Sequence, residues 1–67
     1  MLKTVTATYG SRDTLTNVVD DLLSVGGIER EKIYADEDTC QVKVMIPAVT
    51  APEVLEILGR HNPLTLQ

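Results

Sequence analysis

Thr4-Val5-Thr6-Ala7-Thr8-Tyr9-Gly10-Ser11-Arg12-Asp13-Thr14-Leu15-Thr16-Asn17-Val18-Val19-Asp20-Asp21-Leu22-Leu23 changes period once, and the change decides the fold. Before Gly10 the residues alternate: Val5, Ala7 and Tyr9 share one side and Thr4, Thr6 and Thr8 the other, the period of a β-strand, here Leu2 to Tyr9. After it, Leu15, Val18, Val19, Leu22 and Leu23 recur at the three-and-four spacing of one helical face, with Asn17, Asp20, Asp21 and Ser24 assigned to solvent. The switch has its own chemistry. Gly10 breaks the strand, Ser11 stands at the N-cap, and Asp13 suits the positive end of the helix dipole. At the far end Gly26-Gly27 supplies the left-handed residue a helix terminus needs, and Ile28 folds back as its apolar seal.

Downstream, Glu29-Arg30-Glu31 is a charged connector. Lys32 to Asp36 follows as a short strand with Ile33 and Ala35 on one side and Tyr34 on the other. Asp36-Glu37-Asp38-Thr39 reads as a hairpin turn. Cys40, Val42, Val44 and Ile46 then alternate with Gln41, Lys43 and Met45, which predicts a strand with one buried face. Pro47 ends it, and Thr50-Ala51-Pro52-Glu53 has the pattern of a capping box. The second helix carries Val54, Ile57 and Leu58 with Leu55 alongside, and places Arg60 and His61 at its negative end before Asn62-Pro63 stops it. Leu64-Thr65-Leu66-Gln67 is a brief last strand.

The order βαββαβ is the split βαβ, or ferredoxin-like, arrangement. Right-handed crossovers put both helices on one face of a four-stranded antiparallel sheet, with the first and third strands in the middle. The expected fold is therefore an α+β two-layer sandwich, one domain over residues 1–67. Its uncovered face carries Thr4, Thr6, Thr8, Gln41, Lys43 and Met45, the expected interface for self-association, together with whichever side of the second strand points away from the helices.

Composition removes several function classes. Six Lys and Arg against ten Asp and Glu give a net charge of −4, which repels phosphate backbones, and two Tyr with no Phe or Trp leave few stacking platforms for bases. Nucleic acid is not an expected partner. One Cys and one His cannot build a structural zinc site or an internal disulfide, so neither metal nor cofactor is expected. No apolar run approaches a membrane span. The first eight residues read as a strand rather than a secretory signal, and a single thiol suits a reducing compartment, so a cytoplasmic location is expected.

Four places can hold chemistry. Gly10, Ser11 and Arg12, a Gly turn entering a helix N-terminus beside a guanidinium, form the candidate site for a small anionic ligand, although Asp13 opposes an anion there. Asp36-Glu37-Asp38 lacks the spacing of a calcium loop and reads as a solvated turn. His61 is accounted for by the helix dipole. Cys40, in phase with Val42 and Val44, is expected as a small buried hydrophobe. No Gly-x-Ser-x-Gly, phosphate-loop or His-Glu-x-x-His motif supports an enzyme.

Among βαββαβ families, heavy-metal-associated domains are excluded because Gly10-Ser11-Arg12-Asp13 stands where they need Cys-x-x-Cys. RNA-recognition motifs are excluded because Val5-Thr6-Ala7-Thr8 and Gln41-Val42-Lys43-Val44 lack their central aromatics. The stretch from Gly10 through Gly27-Ile28 resembles ACT-type regulatory domains, although it lacks the Pro-Gly that commonly opens their first helix. That resemblance implies amino-acid binding at a dimer interface near the first loop. Val54-Leu55-Glu56-Ile57-Leu58-Gly59-Arg60-His61 resembles small bacterial stress-associated domains of unknown role. The Thr-rich open face, with Met and Tyr nearby, leads to the expectation of a non-enzymatic interaction or regulatory module that self-associates through that sheet face or an edge strand. The alternative is a regulator or minor enzyme that binds a small molecule or anion at Gly10–Arg12.

Overall fold

The computed structural model describes residues 1–66. Its elements are β1 (Leu2–Thr8), α1 (Arg12–Ser24), β2 (Ile33–Asp36), β3 (Gln41–Pro47), α2 (Ala51–Gly59) and β4 (Thr65–Leu66), with 3-10 turns at Arg30–Lys32 and Ala48–Thr50. One antiparallel sheet runs β2-β3-β1-β4, which is the ferredoxin-like order, and both helices pack against one side of it.

Register ties the alternation to the layers. Val5 lies opposite Val44 and Ala7 opposite Val42, so both pairs point at the helices, while Thr4, Thr6 and Thr8 lie opposite Met45, Lys43 and Gln41 on the reverse. The inner rows of the two central strands meet Leu15, Val18 and Leu22 of α1 and Ala51, Val54, Ile57 and Leu58 of α2 in a single core with Tyr9 and Ile46. No charged or polar side chain is buried among the described residues.

The helix ends show how local chemistry sets boundaries. Ser11 is extended, and its Oγ accepts the Thr14 N–H at 3.2 Å, as expected of an N-cap. Gly27 takes φ +64°, and Ile28 returns its N–H to the Leu22 carbonyl at 3.0 Å. Gly26 is required for space, because a Cβ there would sit 2.9 Å from the Leu22 carbonyl oxygen.

Two expectations are corrected at turns. Thr50 does not cap α2: its backbone is already helical at φ −87°, ψ −14°, and its side chain makes no capping bond. The preceding 3-10 turn runs straight into the helix, and the carbonyl of Ala48 receives the Ala51 N–H, so the hydroxyl has no orphan donor to reach. Cys40 is not the first inward residue of β3. The hairpin needs a left-handed residue to close, and Cys40 takes that position at φ 54°, which turns its half-exposed thiol away from the row of Val42 and Val44. Its carbonyl accepts the Tyr9 N–H at 2.8 Å, so the turn's backbone still continues the sheet.

Candidate functional site

The two regions singled out as sites fall on different parts of the fold. Gly10, Ser11 and Arg12 are all exposed at the start of α1. The Ser11 hydroxyl is engaged with Thr14, through the backbone N–H at 3.2 Å and the Thr14 hydroxyl at 2.9 Å. The loop is a well-formed cap, and the Thr16 hydroxyl also donates to the Arg12 carbonyl at 3.1 Å.

The uncovered sheet face gathers Thr4, Thr6, Thr8, Gln41, Lys43 and Met45 as expected, because successive pairs along β1 and β3 set them side by side. It also takes residues the alternation had not assigned to an interface. Tyr34 lies opposite Lys43 and Asp36 opposite Gln41, so both join this face, and Leu2 lies opposite Pro47 at its end. Leu2, Tyr34 and Met45 are 61%, 64% and 46% exposed, a concentration of apolar surface within a field of hydroxyls and amides. A shallow depression of about 270 Å³ lies between Thr4, Glu31, Lys32, Tyr34, Lys43 and Met45. Its wall is mostly apolar with charge of both signs at the rim, which can seat a side chain from another surface.

Asp36-Glu37-Asp38 is a turn in which the Asp36 carboxylate accepts the Asp38 N–H at 3.0 Å. Among the described residues no group of three or more His, Cys, Asp or Glu is placed to hold a metal ion. No helix among them is long and apolar enough to cross a membrane.

Sequence reasoning missed the clamp at the C-terminal end of α2. Asp21, assigned to solvent, is half-buried, and its Oδ2 lies 2.7 Å from Nε2 of His61, which ties the last turn of α1 to the turn that follows α2. The Tyr9 hydroxyl donates to the Leu58 carbonyl at 2.7 Å, adding a short hydrogen bond to a helix-end acceptor that also receives the His61 N–H at 3.4 Å. The only available signal was weak: a Tyr in phase with the core carries a hydroxyl that needs a buried acceptor. A base with an orienting carboxylate is half of a nucleophilic site, but no Ser, Thr or Cys side chain among the described residues hydrogen-bonds either partner. The pair therefore acts as a fastener. His61→Ala is expected to lower stability by about 1 kcal/mol, roughly 4–8 °C in Tm for a domain of this size, read by thermal unfolding. An unchanged Tm would mean that the contact contributes nothing.

The arrangement defines a small ferredoxin-like α+β domain with its helices on one face and the other face of its sheet open. No protein-family model, curated protein or solved structure matches the chain.

Proposed function

We propose that the chain is a non-enzymatic interaction or regulatory module that self-associates through the open face of its sheet. The observation that carries this is the placement of exposed Leu2, Tyr34 and Met45 on that one face, where the register sets Met45 opposite Thr4 and Tyr34 opposite Lys43. A face with this mixture is complementary to itself. In a two-fold interface each residue meets its counterpart's neighbours, and Lys43 and Asp36 on the same surface give a second copy both signs of charge to pair with. The resemblance to ACT-type domains, which bind amino acids at dimer interfaces, favours the same reading, and the single thiol suits a cytoplasmic setting.

Sedimentation velocity tests it. The wild type is expected to form a dimer at high micromolar concentration. Met45→Lys is expected to raise the dissociation constant roughly a hundredfold, because an ammonium must lose its water against an apolar partner. A strict monomer, or a dimer indifferent to Met45→Lys, would overturn the proposal. Ligand binding at Gly10–Arg12 is separated from it by a thermal-shift panel of amino acids, nucleotides and phosphorylated metabolites. A ligand present at 100 times its dissociation constant adds about 2.7 kcal/mol to a native state that binds it.

A further inference from the structure

We propose that the cleft between α1 and β2 binds the free amino terminus of a peptide chain whose first residue is apolar. The site lies on the helical side of the sheet, and it would stand if the open face proved to bind nothing.

The cleft exists because α1 covers β2 incompletely. Ala35 lies opposite Val42 in the row that faces the helices, yet Val42 is fully buried and Ala35 is exposed. A methyl group at that position is too short to fill the space beneath α1. A hollow of about 300 Å³ remains, with Ala35, Leu15 and Val19 as its apolar lining. That is the lower limit of the volumes ligand sites commonly have, about 300–1,000 Å³, and suits one residue rather than a length of peptide.

Charge borders this apolar lining. Asp20 of α1, Arg30 from the turn before β2 and Glu37 from the turn after it line the same hollow. Among the described residues the ion pairs are Arg60 with Glu56 and His61 with Asp21, so none of these three is paired. Two carboxylates against one guanidinium leave the hollow with an excess negative charge, on a chain whose net charge is −4. The start of a peptide supplies the complement. Its ammonium donates to the carboxylates, its first side chain lies on Leu15, Val19 and Ala35, and its first carbonyl accepts from Arg30, a side chain with donors and no acceptor. A free amino acid fits less well, because its own carboxylate would enter the same small volume as Asp20 and Glu37. A plain organic cation fits less well again, since it brings nothing for Arg30 to bond.

The test is a titration of the full chain at neutral pH with the tripeptide amide Leu-Gly-Gly-NH2, followed by backbone amide chemical shifts. Saturable shifts are expected at millimolar peptide, confined to α1, β2 and the turns flanking β2. The N-acetylated tripeptide, which lacks the ammonium, and Ser-Gly-Gly-NH2, which lacks the apolar contact, should each bind roughly tenfold more weakly. Asp20→Asn combined with Glu37→Gln should also weaken binding roughly tenfold, the scale of two exposed ion pairs, whereas Glu53→Gln removes the same kind of charge from exposed α2 and should change nothing. Ala35→Leu fills the hollow and is expected to abolish binding while melting no lower than the wild type. If Ala35→Leu fails to fold, the paired charge variant decides, because it alters only exposed side chains. An absence of saturable shifts with Leu-Gly-Gly-NH2, equal binding of the acetylated peptide, or free L-leucine binding as tightly as the tripeptide amide would overturn the site.

Discussion

Between about pH 10 and pH 12 the domain is expected to lose on the order of 2 kcal/mol of stability, and Tyr9→Phe should remove most of that dependence. The Tyr9 side chain is 2% exposed, and burial pushes its phenol from 10.0 up to about 12. The unfolded chain releases the Tyr9 proton near pH 10, whereas the folded chain holds it until about pH 12. In that interval the unfolded state binds fewer protons, so stability falls as pH rises; below pH 10 the full contribution is present. The hydroxyl is the only polar part of the ring, and it donates to the Leu58 carbonyl at the end of α2, so ionisation would also remove the shorter hydrogen bond to that carbonyl, which also receives the His61 N–H at 3.4 Å. Tyr9→Phe should itself cost about 1–3 kcal/mol at neutral pH, because it leaves the acceptor with one partner fewer. Urea midpoints followed by circular dichroism at several alkaline pH values distinguish the two effects. A Tyr9→Phe protein whose midpoint falls with pH as steeply as the wild type would refute the assignment.

The layers of this fold were legible in the sequence, and its junctions were only partly so. Val5, Ala7, Val42, Val44 and Ile46 are buried because strict alternation leaves one row to face the helices, and the three-and-four spacing of Leu15, Val18 and Leu22 supplies the opposing stripe. Cys40 fits the same alternation, but hairpin closure overrides it: the turn requires a left-handed residue, and that geometry is set by the pairing of Asp36 with Gln41 rather than by side-chain pattern. Thr50 has cap chemistry, but it follows a turn that has already begun the helical backbone. Asp21 and His61 are forty residues apart, and only the crossing of α1 and α2 brings them together. For the open face, six members could be named from period two along β1 and β3. Tyr34 and Asp36 needed the register of β2 against β3, which no local pattern specifies.

Leu22→Ala is expected to leave most of the protein unfolded at low micromolar concentration. Leu22 is fully buried and one of the largest core side chains, and its own carbonyl anchors the chain reversal after α1 through Ile28. Truncating such a leucine costs about 2–5 kcal/mol, and a single core this small supplies only about 3–5 kcal/mol in all. Leu23, next to it and half-buried, is the control: Leu23→Ala should cost far less and remain cooperative. The comparison also bears on function. If folded chains associate and unfolded ones do not, mass action couples the two equilibria, and raising the Leu22→Ala protein to high micromolar concentration should restore helical ellipticity and dimer mass together. Adding Met45→Lys should abolish that recovery, since the lesion on the open face lies on the opposite side of the sheet from Leu22 and acts only through association. Ellipticity independent of concentration in Leu22→Ala would mean that no associated state contributes to folding. A Leu22→Ala domain within about 1 kcal/mol of the wild type would contradict the cavity estimate itself.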